Sequence, residues 1–136
     1  MGNWNSVSDT NGCGSLLLNV EILNQNLPSM DDALSLLVQF KPMLLEELDG
    51  IEQGLDQGDV ETVRFHAHRI RSASLYLGLE GIGIAATRLE QLIECKGTLD
   101  ELLVAWSLVR RACRGFMSKD RAEIASLLDA LAKDQS

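Results

Sequence analysis

Residues 67–78 read AHRIRSASLYLG, and this stretch decides both the fold class and the candidate site. At helical spacing, Ala67 and Ile70 fall on one apolar stripe, so the segment is predicted to be a helix with this stripe toward a core. His68 borders the stripe and points to water. His66 borders it on the opposite flank, about 200° from His68, because successive helical residues are roughly 100° apart. The sequence therefore predicts that the two imidazoles do not meet.

Amphipathic helical spacing continues on both sides of this segment. The predicted helices cover residues 16–27, 29–53, 59–78, 80–96 and 98–116. Two points stay open in this pattern. Pro42 either kinks the second helix or opens a new one, because it cannot donate an N–H to the preceding turn. The segment from Ser118 either continues the preceding helix or restarts after Gly115.

Turn and capping residues separate these helices. Ser29 and Asp59 carry side chains that accept hydrogen bonds at a helix start, and Thr98 with Glu101 forms a capping box. Gly78 is assigned a structural role, because a glycine most easily adopts the positive φ with which helices often end. Residues 54–58 are predicted to be a turn.

Length and composition predict one all-α domain. The chain has 136 residues, 46% hydrophobic residues, few aromatics and two prolines, which suits a helical bundle with an aliphatic core. We predict an antiparallel up-down four-helix bundle with an additional N-terminal helical segment. Residues 1–14, rich in Gly, Asn and Ser, are predicted to be a flexible tail, and residues 15–136 the bundle domain.

The charge distribution argues against several classes of partner. A net charge of −8 disfavours nucleic acid or an anionic membrane surface as the main partner. Between Glu61 and Glu80, however, there are three arginines and no acidic residue, so we expect positive charge around His68. Glu46 and Glu47 are interpreted as a solvated helix face.

Other sequence features give mainly negative indications. Three cysteines without C-x-x-C spacing disfavour a disulfide framework and a structural zinc site, and favour a reducing cytoplasm. No apolar run is long enough to span a membrane. The first six residues match the pattern for N-myristoylation of Gly2, but no polybasic patch follows. His66 and His68 diverge on a helix and lack the i,i+4 spacing of helical metal ligands, so no metal site is expected.

The 67–78 segment resembles the histidine-containing phosphotransfer (HPt) domain of two-component phosphorelays. Ala67, His68, Gly78 and the pair Leu89-Glu90 match the family pattern, and Arg71 stands at its lysine position. Ser72 replaces the glycine that follows four residues after the histidine.

This resemblance implies a phosphocarrier without turnover of its own. His68 would accept a phosphoryl group from a receiver-domain aspartate or a kinase and pass it to a response-regulator receiver, while Arg71 holds the phosphoryl oxygens and Ser72 lies beside them. The residues expected to contact the partner are Arg64, Phe65, Arg69 and Leu75. The implied partners are receiver domains and a histidine kinase, including hybrid kinases. The chain would need no cofactor, since the receiver supplies the Mg²⁺ and the accepting aspartate.

Two other functions stay open from the sequence. An HPt-like adaptor could bind receivers or kinases without carrying phosphate, and Ser72 favours this reading because an i+4 side chain leans back over His68. The third reading is a helical bundle with an unrelated interaction role.

Overall fold

The computed structural model describes residues 6–8 and 15–134. Within them, two short antiparallel strands precede six helices. The elements are β1 Ser6–Ser8, β2 Ser15–Leu17, α1 Val20–Asn26, α2 Met30–Gln57, α3 Val60–Tyr76, α4 Glu80–Glu94, α5 Leu99–Met117 and α6 Arg121–Asp134.

The long helices form the predicted bundle. Helix α3 packs between α2 and α4, α5 packs against α4, and Phe116 of α5 contacts Phe40 of α2 with 6.0 Å between ring centroids. Helix α5 therefore lies diagonally across the bundle from α3. Helix α6 packs on α2 and α1. This arrangement confirms the all-α bundle with an additional N-terminal helix.

The predicted caps start the helices at the predicted places. Ser29 Oγ accepts from the Asp32 amide, and Thr98 and Glu101 form the reciprocal capping box. Asp59 accepts from the side chain and amide of Thr62, and these bonds hold the pKa of the Asp59 carboxyl below its ordinary value. The cap thereby defines where α3 starts.

Both open points of the helix pattern are resolved. Helix α2 runs through Pro42 as one helix of 28 residues, so Pro42 does not open a new helix. It also continues through the predicted turn, and its C-cap is Gly58, with φ of 69°. The last helix restarts at Arg121, because Asp120 and Glu123 accept hydrogen bonds from each other's amides.

The N-terminal segment differs from its prediction. The predicted helix 16–27 begins only at Val20, where the Asn19 side chain accepts from the Ile22 amide, and residues 15–17 form a strand instead. Most of the predicted tail, including Gly2, lies outside the described residues, and its flexibility stays a prediction.

Gly78 joins this N-terminal segment to the bundle. It has φ of 74°, and its carbonyl accepts from the Asn19 amide at 2.7 Å. A Cβ at this position would overlap the Asn19 carbonyl oxygen. Glycine is therefore required here both by the backbone conformation and by the close approach of another segment.

Candidate functional site

His68 lies on the outer, α4-facing side of α3. Its side chain is 54% exposed. It opens on a cleft of about 360 Å³ that Arg64, Phe65, Arg69 and Glu90 also line. The core stripe of α3, which includes Ala67 and Ile70, fixes this orientation because both residues are fully buried. The structure therefore places His68 at the border of the core and facing water.

A buried carboxylate from α4 holds the inner side of the His68 ring. Glu90 Oε2 lies 3.2 Å from His68 Nδ1, and Glu90 Oε1 lies 3.2 Å from Arg71 Nε. The second contact is an ion pair without hydrogen-bond geometry, which leaves Oε1 without a hydrogen-bond partner. Arg71 Nη2 also lies 3.3 Å from His68 Nδ1. His68, Arg71 and Glu90 thus form one cluster, called here the outer cluster.

The neighbours of His68 Nδ1 determine the tautomer of the ring. An ionised carboxylate only accepts hydrogen bonds and a guanidinium only donates them, so Nδ1 can satisfy either Glu90 or Arg71. The Glu90 side chain is 6% exposed, whereas that of Arg71 is 34% exposed and can bond to water. Leaving the more buried group unsatisfied costs more. Nδ1–H therefore donates to Glu90, and Nε2 carries the lone pair.

The other flank of α3 carries a second cluster of the same composition. Glu47 Oε2 lies 2.8 Å from His66 Nδ1, and Glu47 Oε1 lies 2.9 Å from Arg69 Nε. We call these three residues the inner cluster. Glu47 is 5% exposed, so its interpretation as part of a solvated face is wrong, whereas Glu46 is exposed.

The two histidines differ in what covers Nε2. The His66 side chain is only 23% exposed and packs on the backbone of α2 at Gly50. A Cβ at Gly50 would overlap the His66 ring, with Nε2 as its nearest atom. Nε2 of His66 thus lies against a helix, whereas the His68 ring opens on the cleft.

The expected positive charge around His68 is largely neutralised by carboxylates from three helices. Each arginine of α3 forms an ion pair: Arg64 with Glu94 and Glu61, Arg69 with Glu47, and Arg71 with Glu90. These ion pairs could not be predicted from the sequence, because only Glu61 is close to the arginines along the chain. The expectation of a net positive face is therefore wrong.

The remaining predicted site residues lie in different settings. Phe65 is 55% exposed, with the Arg69 guanidinium 5.5 Å from its ring centroid. Leu75 is 41% exposed and packs against Gly83 of α4. Ser72 is exposed and lines a separate, mostly apolar groove of about 540 Å³ between α2 and α3.

The sequence reasoning missed Glu90 and Glu47 as parts of these clusters. The signal was their register: Glu47 lies at helical spacing with the buried residues Phe40, Leu44 and Ile51. Glu90 follows Gly83 and Ala86 on the buried side of α4 in the same way. A carboxylate on a core stripe requires a cationic or hydrogen-bonding partner. The sequence of one segment does not show which other helix supplies the partner of each glutamate.

Comparison with known protein families identifies the family of this chain. The family model described as Hpt domain matches residues 35–134, which is well over half of the chain. The chain therefore belongs to the Hpt domain family, and its class of function is histidine phosphotransfer in two-component signalling. Searches of curated proteins and of solved structures found no significant match.

Two further observations concern the described residues only. None of the helices within residues 15–134 is both long and apolar enough to cross a membrane. In the same part of the chain, no three His, Cys, Asp or Glu side chains are grouped so that they could hold a metal ion.

Proposed function

We propose that this chain is a phosphorelay carrier that uses His68 Nε2 as its phosphoacceptor. It would take a phosphoryl group from an aspartyl phosphate of one receiver domain, or from a kinase, and deliver it to the aspartate of another receiver. The observation that carries this proposal is the contrast between the two histidines. Both have a buried glutamate on Nδ1, but the His68 side chain is 54% exposed, whereas that of His66 is 23% exposed with Nε2 against α2.

The transfer is a displacement at phosphorus. The Nε2 lone pair forms the P–N bond while the P–O bond to the receiver aspartate breaks, and the aspartate leaves as a carboxylate with that electron pair. The imidazole becomes positively charged in this step, and the Glu90 carboxylate stabilises that charge through Nδ1–H. Transfer to the next receiver is the reverse displacement. Mg²⁺ and the accepting aspartate would belong to the receiver, as the family resemblance implies.

Arg71 is the cation best placed to meet the phosphoryl oxygens. Its guanidinium lies beside the His68 ring and has exposure to solvent. It has hydrogen-bond donors besides Nε, whose contact with Glu90 is an ion pair, because a guanidinium carries five N–H groups. Arg64 lines the same cleft, and its carboxylate partners are exposed, so its ion pairs are weak and easily exchanged.

The experiment is phosphotransfer from a phosphorylated receiver, with detection of acid-labile phosphate on this chain. We expect His68→Gln to abolish labelling and His66→Gln to retain it. The second variant is the matched control, because it removes the same side chain from the same helix. Label on His66, or equal loss in both variants, would contradict the assignment of the nucleophile.

The adaptor without phosphate stays the second candidate, and Ser72 is the residue that favours it. If a receiver binds but the wild-type chain is never labelled, and Ser72→Gly restores labelling, the adaptor is the correct function.

A further inference from the structure

The solvent-facing side of α5 combines exposed aliphatic side chains with basic ones. Leu103 is 45% exposed and Val104 is 63% exposed, and Arg111 and Arg114 follow within three turns. At 100° per residue, these four and Ser107 lie within an arc of roughly 100° and along roughly 16 Å of helix. We call this set the α5 outer face. Its width and length match the contact of one packed helix.

The charges on the α5 outer face are unpaired, in contrast to those on α3. Every arginine of α3 lies within 4 Å of a carboxylate oxygen. Within residues 6–8 and 15–134, by comparison, neither Arg111 nor Arg114 has a carboxylate at ion-pair distance. Several other basic residues of the described chain also lack an ion pair, so what distinguishes this face is that two such arginines lie one turn apart beside exposed aliphatic side chains. Unpaired cations beside exposed aliphatic side chains are typical of a docking surface.

We propose that the α5 outer face binds an acidic amphipathic helix of a partner protein. Apolar residues of that helix would cover Leu103 and Val104, and its carboxylates would pair with Arg111 and Arg114. Asp100 lies on the same side of α5 at its N-terminal end and repels an acidic segment there. The acidic end of the partner helix is thereby directed to the C-terminal half of α5.

Two other occupants of the α5 outer face, the N-terminal residues of this chain and an anionic membrane, are disfavoured by charge. Residues 1–14 of this chain contain a single acidic side chain, Asp9, which cannot match two arginines. An anionic membrane would attract the arginines but repel a domain whose net charge is −8. Helix α5 lies diagonally opposite α3, so an occupant of its outer face would leave His68 accessible. Docking at this surface is thus separate from the phosphotransfer site.

The test uses a fluorescein-labelled synthetic helix of about 18 residues, with leucines and then glutamates along one face. Its binding to the full chain is followed by fluorescence anisotropy. We expect Arg111→Glu with Arg114→Glu to weaken binding at least about tenfold, because two charge pairs become repulsive. Leu103→Ser with Val104→Ser should weaken it without changing the charge. His68→Gln should bind like the wild type.

Matched controls separate a shaped surface from general attraction. Arg121→Glu with Lys133→Glu makes the same change of net charge on α6 and should leave binding unchanged. A peptide of the same composition, with leucines and glutamates on opposite faces, should bind at least about tenfold more weakly. Circular dichroism checks that each variant is folded.

Several results would overturn the proposal. The proposal is wrong if the two peptides bind equally well, or if the α5 and α6 double variants lose the same amount of binding. It is also wrong if reversing the charges of Arg111 and Arg114 leaves the peptide affinity unchanged. A wild-type dimer that dissociates on reversal of these arginines would make a second copy the occupant. Binding to phosphatidylserine vesicles that depends on the same arginines would make it a membrane.

Discussion

Replacing Glu90 by glutamine tests whether its charge contributes to phosphotransfer, and Glu47 provides an internal control. Both side chains are 6% exposed, and each pairs with one histidine Nδ1 and one arginine Nε of α3. Glutamine keeps the shape of the side chain and one acceptor oxygen but removes the charge. The two substitutions therefore change the same chemistry on opposite flanks of one helix.

The expected loss of rate follows from the charge that develops on the ring. In the ground state Glu90 accepts from a neutral imidazole, and in the transition state from a partly cationic one. On going to the transition state, the hydrogen bond from Nδ1–H gains about 1–1.5 kcal/mol more with a carboxylate acceptor than with an amide acceptor. Glu90→Gln should therefore lower the transfer rate about tenfold. Glu47→Gln should transfer at the wild-type rate, because in the proposed function His68 and not His66 is the acceptor.

The two substitutions should affect stability alike. Each removes the charge from a buried acceptor with the same kinds of partner, so we expect a decrease of about 1–2 kcal/mol in the free energy of unfolding for both. Urea denaturation followed by circular dichroism measures this decrease, and single-turnover transfer from a phosphorylated receiver measures the rate. Equal rates in the two variants would refute the role assigned to the Glu90 charge. Phosphorus NMR that places the phosphoryl group on Nδ1 would refute the tautomer.

Three further predictions concern the surroundings of the site. Gly50→Ala should lower the free energy of unfolding by about 1 kcal/mol. The new Cβ would displace the His66 ring and break its charge-assisted bond to Glu47, which is worth more than the higher helix propensity of alanine. In a His66→Ala background the same substitution should instead stabilise by about 0.5–1 kcal/mol, and a stabilising effect in both backgrounds would contradict the packing. Iodoacetamide should label Cys95, which is exposed, and spare Cys113 in the folded protein, because burial raises the pKa of the Cys113 thiol to about 12; peptide mass spectrometry distinguishes the two. Ser72→Gly should keep or raise the transfer rate and Ser72→Leu should block it with an unchanged circular dichroism spectrum, whereas normal transfer by the leucine variant would show that residue 72 does not overhang the histidine.

Local patterns predicted most of the fold. The caps at Ser29, Asp59 and Thr98 depend on residues within three positions, so the sequence contains all the information they need. The start of the first helix was misplaced. Asn19 caps that helix and also bonds to Gly78, some 60 residues away, and such a contact leaves no local signal.

The candidate site was predictable only in part for the same reason. The orientation of His68 follows from the stripe on its own helix. The partners of that histidine and of the α3 arginines come from α2 and α4, and their identity depends on how three helices pack. The sequence therefore indicated which side chain faces water, but not the carboxylate that selects its reactive nitrogen.

A carrier must hold its phosphoryl group without trapping it, and the outer cluster has the charges to do so. His68, Arg71 and Glu90 together are close to neutral before transfer, and a phosphoryl group adds about two negative charges. On the proposed function, the single positive charge of Arg71 would be shared between that group and Glu90, so the buried carboxylate would weaken the attraction of Arg71 for the phosphoryl group. Arg64 can add a second cation at little cost, because its pairs with exposed glutamates are worth no more than about 1 kcal/mol. If the proposed function is correct, this sharing of the Arg71 charge would keep the phosphoryl group transferable to the next receiver.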